Sequence, residues 1–216
     1  MNNPSKQSSL ENPVYHDDHQ PEEVGPQRMI YRLAKVEGPN DCGLWPVRSM
    51  YDRGMMFDVG LYVRPNEKLL ISLSDTICLW GRVVWSGDGR CGVAFDRPIR
   101  HGEVMGQLIA EQESERYRPL RLTVSCLGQL LTEEQWLKVE VVSLSQNGAE
   151  IAVTGALKVG AGVDLALRDG LRRSGIIRWT RNGEAGVQLK SPFAISDLES
   201  VRYFGCRLAG RSQPTD

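Results

Sequence analysis

No stretch of eighteen consecutive apolar residues occurs in the 216-residue sequence, so nothing in it reads as a membrane-spanning helix. A basic excess is missing as well: 26 Lys and Arg stand against 27 Asp and Glu, for a formal net charge of −1. Proteins that grip nucleic acid by its phosphate backbone carry a clear surplus of cations, so that class is set aside. Histidine is scarce, with only His16, His19 and His101, which leaves almost no material for a histidine triad or a metal centre. Ser145 has no evident base partner and Glu133-Glu134 reads as a solvated loop, so no enzymatic activity and no catalytic residue is expected. The cysteines (Cys42, Cys78, Cys91, Cys126, Cys206) are odd in number and lack short paired spacing. They read as free thiols in a reducing cytoplasm, not as a disulfide framework or a zinc site. The first residues, Met1 to Lys6, are polar and lack the apolar core of a signal peptide, and a cytoplasmic protein is expected.

What the sequence does contain is a repeat. Shifting by 94 residues carries Gly54 to Gly148, Gly81 to Gly175, Trp85 to Trp179, Gly92 to Gly186, Val93 to Val187 and Pro98 to Pro192. A self-match at one offset, tryptophans included, is the mark of a tandem duplication. Function is therefore sought in a unit that occurs twice. Each copy has a polar turn closed by a glycine and followed by an apolar run: Arg48 to Phe57 in the first, Val142 to Ile151 in the second.

In chain order, residues 1–26 form an acidic tail in which Glu11, Asp17, Asp18, Glu22 and Glu23 face one lysine. So little apolar surface cannot offset the entropy of ordering, and a disordered segment is expected. The first unit (27–112) then offers alternating, strand-like runs at Arg28–Val36, Leu44–Ser49, Met55–Val59, Leu69–Leu73, Ile77–Trp85 and Gly92–Phe95. Asp88-Gly89 supplies the positive φ angles that a two-residue β-loop requires. Val104, Leu108 and Ile109 among acids predict a short amphipathic helix between about Gly102 and Tyr117, connecting the units. The second unit (113–208) repeats the strands at Leu122–Val124, Trp136–Val142, Ala149–Val153, Val163–Leu167 and Ser174–Trp179, with Arg181-Asn182-Gly183 as its hairpin. A terminal helix is expected over Ile195–Phe204, ahead of a polar tail (209–216). With no long crossover helix between strands, the fold class is mainly β: two small antiparallel six-stranded β-barrels in tandem, with short connecting and C-terminal helices. Trp85 and Trp179 are expected in the barrel cores.

The turns and the arginines before them resemble the PilZ domain, a small bacterial β-barrel family known as receptors for cyclic di-GMP. Its signature is Arg-x-x-x-Arg ahead of the first strand, then Asp/Asn-x-Ser-x-x-Gly at a turn. In the second unit, Ser143-Leu144-Ser145-Gln146-Asn147-Gly148 supplies Ser-x-x-Gly, with Ser143 where the family has Asp or Asn. Its arginine loop holds Arg116, Arg118 and Arg121, and the four-residue step back from Arg121 lands on Tyr117. In the first unit Arg28-x-x-x-Arg32 is intact, but Ser49, Tyr51 and Gly54 occupy the turn positions. The resemblance covers residues 28–204. It implies tandem PilZ-like domains with ligand-binding residues Arg116, Arg118, Arg121, Ser143, Ser145 and Gly148, and in the first unit Arg28, Arg32, Ser49 and Gly54.

The chemistry fits that implication on its own terms. Guanidinium groups meet phosphates or the O6/N7 edge of guanine bidentately, and a small Ser and Gly let a base or phosphate approach the backbone. The resemblance implies a receptor for cyclic di-GMP, with no other cofactor and no metal, in which ligand binding at the junction changes the orientation of the two units and so regulates a partner. That partner would belong to motility or surface-attachment machinery. The alternative is a PilZ-like adaptor that binds no nucleotide and works through protein–protein contacts. The arginines then pair with neighbouring acids such as Glu113 and Glu115 instead of converging on an open cleft.

Overall fold

The computed structural model describes residues 32–114, 118–167, 170–205 and 207–208. The first barrel is built from β1 (Arg32–Glu37), β2 (Cys42–Tyr51), β3 (Gly54–Asp58), β4 (Lys68–Ser72), β5 (Cys78–Gly87) and β6 (Arg90–Phe95). A helix, α1 (His101–Glu113), follows. The second barrel comprises β7 (Leu122–Leu131), β8 (Trp136–Ser145), β9 (Gly148–Val153), β10 (Gly162–Ala166), β11 (Arg172–Arg181) and β12 (Glu184–Leu189). The short strand β13 (Arg207–Leu208) adds antiparallel to β7.

Both barrels close in the same order. The first runs β1-β2-β3-β6-β5-β4 and joins β4 back to β1; the second runs β7-β8-β9-β12-β11-β10 and joins β10 back to β7. The period-two patterns in the sequence explain why these segments are strands: along β7, Leu122, Val124 and Cys126 point inward while Thr123, Ser125 and Leu127 face out. The hairpins are those the sequence predicts, with positive φ at Asp88 and Gly89 in one barrel and at Asn182 and Gly183 in the other.

The cores are joined through β2. Trp45 and Val47 pack in the first core, where Trp45 meets Phe57 edge-on at 5.5 Å between ring centroids. Cys42 and Leu44, from the other face of the same strand, are buried in the second core with Phe193, Val201 and Phe204. A strand that is apolar on both faces has to be covered on both, and here each barrel covers one. Hydrogen bonds lock the contact: Trp45 Nε1 donates to the Glu199 carbonyl (2.9 Å), Gly60 N to the Glu199 carboxylate (3.0 Å) and Ser200 Oγ to Asp41 Oδ2 (2.6 Å).

Three expectations need correcting. The continuous terminal helix over Ile195–Phe204 is two 3-10 turns, Ile195–Leu198 and Val201–Phe204. The break falls at Glu199 and Ser200, whose groups are taken by the first barrel and by the local cap from Arg202 N to Ser200 Oγ. The five free thiols are not all free: Cys126 is disulfide-bonded, whereas Cys42, Cys78 and Cys91 are free. Burial pushes the thiols of Cys42 and Cys91 up to about 12, so both act as packing groups.

The third correction concerns the tryptophans. The alternation Ile77, Leu79, Gly81, Val83 points Trp85 inward, but the β5–β6 register shifts between Val83 and Trp85, and the β11–β12 register shifts between Ile177 and Trp179. A bulge places successive residues on one face, so Val84 and Trp85, and likewise Arg178 and Trp179, all face outward. Each indole lies over a glycine of the next strand; a Cβ on Gly92 would run into Trp85, and one on Gly186 into Trp179. The acidic tail assigned to residues 1–26 lies outside the described residues. Among the described residues, no helix is long and apolar enough to cross a membrane.

Candidate functional site in the second barrel

β7 begins at Leu122, which is buried, so the residue before it faces out at the barrel edge. That residue is Arg121, and its Nε donates to Ser143 Oγ at 2.7 Å. Ser143 is thereby a holder of the arginine. Two residues on, β8 ends at Ser145, which is buried and donates through Oγ to the Gly148 carbonyl at 3.3 Å. Gln146 and Asn147 make the turn, and Gly148 opens β9. Neither Gly148 nor Gly54 has a positive φ; each is needed for close approach. A Cβ on Gly148 would stand 2.9 Å from the Val187 carbonyl oxygen, and one on Gly54 2.5 Å from that of Val93.

Around this turn lies a cleft of about 430 Å³, whose lining includes Arg118, Arg121, Ser145, Gly148, Arg178 and Trp179. Among the described residues, no carboxylate forms an ion pair with Arg118, Arg121 or Arg178; Arg178 Nε instead donates to the Gln188 side chain. Arg121 is exposed as a whole residue, yet crowding around its guanidinium strips away solvent and lowers its pKa, against an opposing pull from the charge of Glu150. A crowded cation without an ion-pair partner interacts strongly with an incoming anion. The cleft therefore offers three guanidinium groups, a hydroxyl, an open backbone turn and an aromatic face, which together suit a phosphorylated ligand with a planar base.

The structure thus brings together Arg118, Arg121, Ser145 and Gly148, with Ser143 behind Arg121. Arg116 and Arg28 lie outside the described residues. In the first barrel, Arg32 lies inside β1 opposite Val47, the place that Cys126 takes opposite Val141 in the second. It is not the counterpart of Arg121. Its Nη1 donates to the Leu108 carbonyl of α1 at 3.3 Å, and it lines a separate space of about 310 Å³ with Leu44, Gln112, Arg118 and Gln146. Ser49 sits opposite Met56, and Gly54 opposite Tyr51 and Ala94. Arg32 is thus not brought to the turn that holds Ser49 and Gly54.

Sequence reasoning missed Arg178, Trp179 and Glu150 as lining residues. The available signal was Arg178-Trp179 beside a hairpin, masked because strict alternation assigns the tryptophan to the interior. Among the described residues, no group of three His, Cys, Asp or Glu could hold a metal ion.

No family model and no curated protein matches the chain. Among solved structures, it is similar to the inhibitor of motility MotI/DgrA of Bacillus subtilis, at 10% identity and a TM-score of 0.34, over 79% of this chain and 93% of that one. It is similar to the Borreliella burgdorferi PlzA protein in complex with c-di-GMP, at 10% identity and a TM-score of 0.34, over 82% and 86%. It is also similar to Escherichia coli YcgR in complex with c-di-GMP, at 9% identity and a TM-score of 0.29, over 76% of each chain.

Proposed function

We propose that this protein is a non-enzymatic receptor for cyclic di-GMP, acting in the cytoplasm and binding the nucleotide in the cleft of its second barrel. The observation that carries the reading is the convergence of Arg118, Arg121 and Arg178 on one open space beside the Ser145–Gly148 turn, with no carboxylate paired to any of them among the described residues. A dianionic dinucleotide needs charge-assisted donors and a surface for its bases. The guanidinium groups supply the first and the exposed Trp179 ring the second. In this reading Arg121 is pre-aimed by Ser143, so less side-chain entropy is lost on binding.

The signalling step is assigned to the segment between the barrels. Arg118 and Pro119 line the ligand cleft and also the space that holds Arg32 and Leu33 of the first barrel and Gln112 of α1. Nucleotide that draws Arg118 toward the second barrel changes what faces the first, and so shifts the orientation of the two units and the surface offered to a partner. The test is calorimetric titration of cyclic di-GMP into the full chain. Micromolar or tighter binding, lost in Arg121→Ala, is the expected result. No heat at high protein concentration overturns the reading.

One observation favours a second role, that of an adaptor. On the first barrel, Val84 and Trp85 are 60% and 41% exposed, side by side on the outer face, which suits contact with another protein. If that is the whole function, Arg121→Ala and Ser145→Ala leave partner binding intact.

A further inference from the structure

Among the described residues, Glu150 is the one carboxylate lining the arginine cleft. It sits on β9 directly opposite Ser143 of β8, and such cross-strand pairs hold their Cβ atoms about 5 Å apart on one face. Glu150 is half-buried as a residue, and among the described residues its side chain makes no hydrogen bond or ion pair. It also lines the adjoining space with Trp179, Arg181 and Glu184. Its charge acts on Arg121 without forming an ion pair with it, so the carboxylate stays open to donors that enter the cleft.

We infer that Glu150 reads the base of the bound nucleotide, accepting from N1–H and the exocyclic N2–H of guanine and so selecting guanine over adenine. The inference rests on the receptor reading above and deepens it. Position 143, where the resemblance leads one to expect an acidic or amide acceptor, carries a serine whose hydroxyl already holds Arg121. The acceptor is supplied from the neighbouring strand instead. A carboxylate presents two acceptors side by side, which match the paired donors on the guanine edge. Adenine places a bare ring nitrogen at the same point, so an acceptor would face an acceptor and the carboxylate would stay unsatisfied. The first barrel has Met56 at this place, opposite Ser49, and cannot make the same selection.

The experiment is a titration of the full chain with cyclic di-GMP and with cyclic di-AMP, for the wild type, Glu150→Gln and Arg121→Ala. Glu150→Gln keeps the size of the side chain but replaces one acceptor with a donor. It should weaken cyclic di-GMP binding about tenfold and narrow the preference over cyclic di-AMP, while Arg121→Ala weakens every nucleotide that binds. If Glu150→Gln keeps both the affinity and the preference while Arg121→Ala loses binding, Glu150 is no base reader, and the receptor reading stands. If the wild type binds neither nucleotide, both readings fall.

Discussion

The two barrels share strand order, hairpin chemistry and a tryptophan seated on a glycine, but the residues around that tryptophan differ sharply. In the second barrel, Trp179 is flanked by Arg178, Glu150 and Gln188, with Ser145 at the turn. In the first, the matching positions around Trp85 are Val84, Met56 and Ala94, with Tyr51 at the turn. One face is built of charged and amide groups and the other of apolar ones, on the same backbone. The barrel needs its inward residues and the glycines that let strands pass closely; the outward residues are free to vary. The same contrast appears where each barrel is followed by helical structure. After the first comes the regular helix α1, which packs Val104, Met105 and Leu108 onto the first core. After the second come two 3-10 turns bent around the contact with β2.

That shared contact provides the most severe way to break the comparison. Leu44 belongs to a strand of the first barrel but is buried in the core of the second. Leu44→Ala is expected to cost about 2–5 kcal/mol, measured by chemical denaturation. Hydrogen exchange should show the loss in β7–β12 as well as in β2. Loss confined to the first barrel would mean that the two cores are separable units after all.

A smaller effect tests the tryptophan-on-glycine pair. Adding a methyl group at Gly92 or Gly186 pushes the indole out of its seat, and each substitution to Ala should cost about 1–3 kcal/mol. The stability losses should be similar because the pairs are alike. The functional outcomes should diverge, since Gly186→Ala disturbs the arginine cleft and lowers cyclic di-GMP affinity while Gly92→Ala leaves it unchanged. Equal affinity in both variants would remove Trp179 from the site.

The course of these strands was legible in the sequence because glycine spacing and period-two burial are local. The 94-residue offset also placed the Asp88-Gly89 and Asn182-Gly183 hairpins at equivalent points. The outward tryptophans were not legible: a bulge shifts the register without leaving a marker residue, so the alternation that placed Val83 correctly misplaced Trp85. Glu150 was invisible for a related reason. Its relation to Ser143 is a cross-strand pairing, and no spacing along the chain encodes that by itself. The split of the terminal helix follows from contacts with Trp45 and Gly60, more than 130 residues away in sequence.

The gentlest way to separate the barrels is by pH. At the turn where the second barrel has Gln146, the first has Asp52, whose carboxylate accepts from His101 N (3.0 Å) and bonds the His101 ring (2.6 Å) at the start of α1. These bonds, the backbone one foremost, hold the Asp52 carboxyl below its ordinary value of 3.8. Because the folded value is the depressed one, the contribution to stability is present above about pH 4. It fades as the pH falls through the ordinary value toward the folded one. Asp52→Asn should therefore melt slightly below the wild type at neutral pH, and the two melting curves should converge in acid. Gln146→Asn, the equivalent change in the second barrel, has no titrating group and should give a difference that does not vary with pH. The side chain of Asp52 is exposed, so the effect is small and weakens with added salt. A difference between wild type and Asp52→Asn that persists unchanged at pH 3 would show that this aspartate stabilises α1 by shape alone, and not by its charge.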